Sequence, residues 1–297
     1  MEKLEQCNVC GKSNFSNYLQ GRDYFLTQEE FTIVKCDNCG FLFVNPRPNV
    51  DDISKYYKSD EYISHSNTKK GLLNKVYHII RKKNHQKKFD LISSYKQSGT
   101  ILDIGCATGE FLNFLKKQNW ETIGVEPDVT AQNFAKSEYG LNVFSEDFLD
   151  KTEPAKIDVI TMWHVMEHVY TLEQRMQQIK RLLVKDGIAF IAVPNAACYD
   201  AKHYGEFWAG YDLPRHIYHF TQETMIRLFE RHNFKLDKIV PMEYDAYYIS
   251  MLSEKYKSGS KNLWKAFWSG YRSNRWAKKN ENNYSSLIFI FKNFDRI

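Results

Sequence analysis

Residues 102–111 read LDIGCATGEF, and the fold follows from how that stretch begins and ends. An apolar strand, TILDIG (100–105), runs into a glycine turn that opens a helix at residue 108. Gly105 and Gly109 take side chains away where a ligand must approach the backbone, and the helix start offers unpaired N–H groups to it. A dinucleotide fold would carry G-x-G-x-x-G here, but Ala107 and Glu110 stand where its second and third glycines belong. A pyrophosphate cradle is therefore disfavoured. Asp103 argues the same way, because a carboxylate at a strand tip repels a phosphate and attracts an ammonium group.

Outward from this loop, strand-like and helix-like stretches alternate, the pattern of a parallel sheet covered by helices. Strands are expected at 100–105, 121–126, 142–146, 157–163, 187–193, 235–241 and 286–292, and helices at 108–118, 129–138, 171–184 and 222–232. The expected fold is α/β: a Rossmann-like, seven-stranded, mostly parallel sheet with helices on both faces. The last two strands, parted by an insertion at 243–284, suit an antiparallel hairpin at one edge. Upstream, residues 71–96 set Leu72, Leu73, Val76, Tyr77, Ile80, Phe89, Ile92 and Tyr95 at helical spacing, which predicts a long amphipathic helix. Pro46 and Pro48 interrupt the stretch before it, so 41–65 reads as a turn followed by a short tyrosine-rich helix.

LDIGCATG resembles the first motif of class I S-adenosylmethionine-dependent methyltransferases. That resemblance implies that Asp103, Gly105, Ala107 and Gly109 hold the methionine end of S-adenosylmethionine, with Cys106 in the same loop. It implies further that Glu126, which ends the second strand, accepts hydrogen bonds from two ribose hydroxyls, with Pro127 beside it. Asp147 resembles the family's contact to the adenine amino group, Phe148 lies beside the ring, and Trp163 closes the set. WHVMEHV (163–169), LLVKDGIAFIAVPN (182–195) and DLPRHIYHFT (212–221) resemble bacterial relatives of ubiquinone-pathway O-methyltransferases and zinc-containing sugar C-methyltransferases. The insertion 243–284 has no counterpart in that resemblance.

Six cysteines sit at 7, 10, 36, 39, 106 and 198, and the first four make two C-x-x-C pairs. That is metal spacing, and Cys7, Cys10, Cys36 and Cys39 suit a closed, structural tetrahedral zinc site. The chain thus divides into a zinc-binding knuckle (1–45), a tyrosine-rich segment with a basic amphipathic helix (46–98), and a methyltransferase domain (99–297).

Open α/β sheets bind ligands beyond the carboxyl ends of their strands, which sets WHVMEH and the 195–220 segment near the reacting methyl. His168 and His216 are the candidate bases, with Arg215 orienting an anionic group on the acceptor and His219 fastening the segment. His164, Glu167 and His168 spell H-x-x-E-H, but this stretch leaves a strand, whereas the peptidase pattern lies on a helix. Trp208, Tyr211, Tyr218 and Phe220 suit an acceptor pocket wall. Trp264, Trp268, Tyr271 and Trp276 follow helical spacing that suits core packing.

The net charge of +5 conceals two basic stretches, 69–88 and 255–279, each with eight Lys/Arg and no acid, attached to an acidic remainder. No run reaches the roughly 18 apolar residues of a membrane span, and MEKLEQ lacks the apolar stretch of a signal peptide, so the chain reads as cytoplasmic. The expected activity is O- or C-methylation of a small or carrier-linked acceptor. The basic stretches and the knuckle also suit RNA methylation, and a cofactor-binding regulator without turnover is a third reading.

Overall fold

The computed structural model describes residues 1–57, 72–260 and 262–294, with the side chains of 72–82 excepted. The strands are β1 (Phe15–Arg22), β2 (Glu30–Cys36), β3 (Leu42–Val44), β4 (Thr100–Ile104), β5 (Glu121–Val125), β6 (Asn142–Phe144), β7 (Ile157–Trp163), β8 (Leu183–Pro194), β9 (Tyr218–His219), β10 (Phe234–Pro241) and β11 (Ser286–Asn293). The helices are α1 (Leu72–Ser93), α2 (Glu110–Lys116), α3 (Val129–Tyr139), α4 (Phe148–Lys151), α5 (Leu172–Leu182), α6 (Tyr199–Tyr204), α7 (Gln222–Arg231), α8 (Asp245–Ser258) and α9 (Leu263–Ala277). Contacts gather these into two compact units. One comprises Met1–Ser59, His164–Met176 and Ile191–Phe291; the other comprises Asp60–Trp163, Gln177–Phe190 and Lys292–Ile297.

The seven expected strands form one sheet in the order β10-β11-β8-β7-β4-β5-β6. β4 pairs in parallel with β5 on one side and β7 on the other, and β5 pairs in parallel with β6. The chain therefore reverses its direction of travel across the sheet at β4, and such a switch point opens a crevice at the strand ends. β7 and β8 are apolar with few breaks, as strands covered on both faces must be. The crossover helices start and stop where the sequence provides caps. Asp128 accepts from Ala131 N at 2.7 Å to begin α3, and Gly140, at φ 58°, ends it.

A second sheet was not legible in the sequence. β1, β2, β3 and β9 pair antiparallel in that order, and β9 lays Tyr218 and His219 beside Phe43 and Leu42. Residues 42–44 are thus a strand where a turn was expected, and the helical part of 53–56 is a single 3-10 turn. The remainder of the expected tyrosine-rich helix falls largely on 58–71, outside the described residues. Phe41, Phe43, Tyr218 and Phe220 pack within this unit, with Phe41 ring centroids 5.5 Å from Tyr218 and 5.3 Å from Phe220. Each such ring, fully buried, contributes about 1.5–3 kcal/mol relative to exposure. Arg47, from the Asn-Pro-Arg-Pro turn, is buried here; it donates to Tyr218 Oη at 3.0 Å and pairs with Glu2.

The insertion corrects the expectation about its tryptophans. α9 buries its small residues, Ala266, Ser269, Gly270, Ser273 and Ala277, and not its rings. A Cβ on Gly270 would stand 2.8 Å from Tyr247 Cδ1 and 3.0 Å from its Cα, so glycine is what lets α9 lie this close to α8. The close approach needs small side chains, and Trp264, Trp268 and Tyr271 are left exposed. The earlier aromatics, Trp208, Tyr211, Tyr218 and Phe220, are buried.

Candidate functional site

In the unit built on β4–β7, paired residues Ile104, Val125 and Phe144 bring the carboxyl ends of β4, β5 and β6 level, and Ile104 also pairs with Met162 of β7. The segments that follow these strands, 105–109, 126–127, 147–148 and Trp163, emerge along one edge of the sheet. The glycine loop is left-handed at Gly105 (φ 76°), Ala107 (φ 48°) and Gly109 (φ 76°). A Cβ on Gly109 would meet Leu141 Cδ1 at 2.7 Å and Ala135 Cβ at 2.9 Å, so glycine is required there twice over.

Asp103 is the penultimate residue of β4, where its Oδ1 accepts from Thr161 Oγ1 at 2.6 Å. Burial pushes its carboxyl up to about 6, against the pull of that hydrogen bond and of Lys88. A carboxylate so placed gains from an added ammonium partner. Glu126 accepts from Ala107 N at 2.9 Å and Asp128 N at 3.0 Å, so one side chain braces both the glycine loop and the start of α3. Burial raises its carboxyl, and the two amides oppose that. Asp147 is exposed and held by Ser145 and Lys151, and the Phe148 ring stacks on Phe144 at 4.3 Å. The Lys88 ammonium lies 4.0 Å from the centre of the Trp163 ring, and Phe111 meets that ring edge-on. Trp163 Nε1 is buried with no hydrogen-bond partner among the described residues. Cys106 packs beneath β5, where a Cβ on Gly124 would approach its Sγ to 2.6 Å, so only its backbone is open to a ligand. Pro127 is exposed.

The other unit gathers a histidine–carboxylate cluster. Glu167 is 1% exposed, and neither of its carboxylate oxygens has a hydrogen-bond partner among the described residues. Three imidazoles surround it. His164 Nδ1 lies 3.4 Å from Glu167 Oε1, and its Nε2 lies 3.3 Å from Asp245 Oδ2. Burial alone would depress that imidazole, but the two carboxylates outweigh it and hold it up at about 10. His164 adopts φ 57°, a left-handed backbone that is uncommon outside glycine. His216 Nδ1 donates to the Gly210 carbonyl at 2.9 Å, while its Nε2 lies 4.0 Å from Glu167 Oε1 and 3.9 Å from Asp212 Oδ2. His168 Nδ1 donates to the Arg215 carbonyl at 2.9 Å, with Tyr57 Oη at 3.0 Å, and burial brings it down to about 4.

Arg215 is placed differently from its expected role. Its guanidinium, 2% exposed, pairs with Asp23 at 2.9 Å and Asp212 at 2.8 Å and donates to the Tyr56 carbonyl at 2.9 Å. A planar fork so fully engaged cannot also take an anion from an acceptor. These contacts tie the 212–215 turn to Asp23 and Tyr56. His219 is buried in β9 and meets Tyr211 edge-on. His164 and Asp245 were missed as partners because they are 81 positions apart in sequence. The signal at hand was His164 itself, polar and directly after a buried strand.

Four sulfurs converge in the same unit: Cys7 Sγ lies 3.6 Å from Cys39 Sγ, Cys10 Sγ lies 3.5 Å from Cys36 Sγ, and all four are within 4.8 Å of one another. No pair is a disulfide. Four Zn–S bonds of roughly 2.3 Å at tetrahedral angles set sulfurs roughly 3.8 Å apart, so the donor set fits a zinc ion. Each C-x-x-C turn is closed by a glycine amide, Gly11 N to Cys7 O and Gly40 N to Cys36 O, both at 2.8 Å and both with positive φ.

Comparison with known proteins bears on the sheet and its glycine loop. A ubiquinone biosynthesis O-methyltransferase from Glaesserella parasuis serovar 5 (strain SH0165) is 26% identical over 162 residues, 49% of this chain and 69% of that protein. The crystal structure of a SAM-dependent methyltransferase from Archaeoglobus fulgidus, 19% identical, superposes with a TM-score of 0.50 over 71% of this chain and 94% of that one, a likeness of fold. A family model for the methyltransferase domain matches residues 77–239, more than half of the chain, spanning β4 to β9 and the glycine loop. With that match laid on a sheet that reverses at β4, the chain belongs to the methyltransferase-domain family, as an S-adenosylmethionine-dependent methyltransferase.

Proposed function

We propose that the enzyme methylates an oxygen or carbon of a small or carrier-linked acceptor, with His216 taking the acceptor's proton and four cysteines holding a structural zinc. The observation that carries the reading is Glu167, a buried carboxylate 3.4 Å from the His164 imidazole and 4.0 Å from that of His216. Such an arrangement is costly for stability alone and suits proton transfer.

When bound, S-adenosylmethionine supplies a methyl carbon on a sulfonium, whose C–S bond breaks as the acceptor's electron pair forms the new bond. Asp103 would pair with the cofactor's ammonium group and Glu126 with its ribose hydroxyls, while Gly105, Ala107 and Gly109 offer backbone at close approach. Asp147 and Phe148 would meet the adenine. On the acceptor side, the Gly210 carbonyl fixes the His216 tautomer with a proton on Nδ1, which leaves the Nε2 lone pair for the acceptor's proton. Glu167 and Asp212 would stabilise the imidazolium that results. His164, already charged between two carboxylates, keeps Glu167 ionised. His168, brought down to about 4, stays neutral and is a positioning residue.

No helix among the described residues is long and apolar enough to cross a membrane, and free thiols at metal spacing suit a reducing cytoplasm. The test is transfer of a labelled methyl from S-adenosylmethionine into a cell extract, with the labelled product identified by mass spectrometry. Label on an oxygen or carbon of a small or carrier-linked molecule supports the reading. Label on RNA, or on nothing, rejects it.

A further inference from the structure

The aromatic face of α9 has no part in the chemistry above. Successive residues of a helix turn by about 100°, which puts Leu263, Phe267, Tyr271, Trp264 and Trp268 in one continuous stripe opposite the buried small-residue face. Trp264 is 78% exposed, and Phe267 and Trp268 are each 52% exposed. Lys265 and Arg272 fall along the flank of that stripe, on the side away from Leu263. Residues 255–279 carry eight Lys/Arg and no acid. Tyr244 and Tyr248 add exposed rings from the first turns of α8 and the residue before it. An exposed apolar patch of this kind marks an interaction surface.

We propose that α9 docks this enzyme on an anionic lipid bilayer, lying flat with its rings at the boundary between headgroups and acyl chains. Tryptophan and tyrosine favour that boundary, and the basic flank meets anionic headgroups in the same contact. Two other occupants fit less well. A second copy of the chain would bring one row of cations against another. Single-stranded RNA would use the rings as stacking platforms, but Phe267 and Trp268 meet at 79° and Trp268 and Tyr271 at 89°, so their faces do not line up for successive bases. The stripe also begins on an aliphatic residue, Leu263, which offers a base no ring to stack on.

Flotation of the full chain with lipid vesicles tests this. Vesicles of phosphatidylcholine are compared with vesicles containing about a third phosphatidylglycerol, a composition that imitates an anionic leaflet. The protein should float with the anionic vesicles at least about tenfold more than with the neutral ones, its tryptophan emission should shift to the blue, and salt should weaken both effects. The double variant Trp264→Glu, Trp268→Glu should lose that binding by about tenfold or more while keeping wild-type melting temperature and S-adenosylmethionine affinity, since both rings are exposed. Failure of the native protein to float, or equal flotation of the double variant, overturns the proposal. So does a tryptophan-dependent dimer in sedimentation equilibrium, or tryptophan-dependent binding of single-stranded RNA, either of which gives the face to another occupant.

Discussion

His216→Ala, with Glu167→Gln as its companion, probes the acceptor side of the reaction. The Gly210 carbonyl commits His216 Nδ1 to donation, and the other nitrogen lies 4.0 Å from Glu167 Oε1. An imidazolium formed at that distance from a carboxylate gains on the order of 4 kcal/mol at an effective dielectric near 20, and less after solvent relaxes around it. Glu167→Gln keeps the shape and removes the charge, so roughly half of that ceiling, about a 30-fold fall in kcat, is expected. His216→Ala removes the proton acceptor itself and should cost about 10² to 10⁴-fold. Both are read as labelled-methyl transfer to the identified acceptor, with S-adenosylmethionine affinity measured by calorimetry on the same preparations. Affinity should stay within a few fold, which separates lost chemistry from lost binding. If both variants keep full turnover, the base is elsewhere or the acceptor arrives already ionised, and the role given to this cluster is wrong.

Arg215→Ala removes the guanidinium partner of buried Asp23 and half-buried Asp212 and should destabilise the protein by about 3 kcal/mol in urea unfolding; Arg215→Lys should rescue only partly, and unchanged stability with a raised acceptor KM would restore the anion-binding role instead. Cys36→Ser should abolish a stoichiometry of one zinc per chain in elemental analysis and, with it, amide protection of β1–β3; a metal-free wild type still protected there contradicts the zinc site. Because the free-state carboxyl of Asp103 is raised to about 6, it binds its proton as pH falls through that value, so S-adenosylmethionine affinity should drop by up to about tenfold per pH unit below it. Asp103→Asn should flatten that profile, and a wild type with no slope between pH 7 and about 5 would separate Asp103 from the cofactor.

The sheet was legible because its strands are apolar runs punctuated by glycine and acid, and the cysteines because their spacing is local. What sequence could not supply was long-range pairing. β9 is two residues long and acquires meaning only from Leu42 and Phe43, far earlier in the chain. Arg215 looked free because its partner Asp23 lies 192 positions away. The helix 263–277 was misread for a different reason. Helical periodicity locates a face but not which face is inside, and here close packing against Tyr247 selected the small residues and turned the tryptophans outward.

Cofactor binding by the purified chain, and its dependence on Glu126, tests the central assignment most directly. Isothermal titration with S-adenosylmethionine should give one site per chain. Glu126→Ala should weaken it by about tenfold or more, since each charge-assisted hydrogen bond to the ribose contributes about 1.5–3 kcal/mol. Melting temperature without ligand, followed in parallel, separates that loss from loosening of the loop that Glu126 braces through Ala107. Absence of binding by the wild type, or equal affinity in a folded Glu126→Ala variant, would contradict the account.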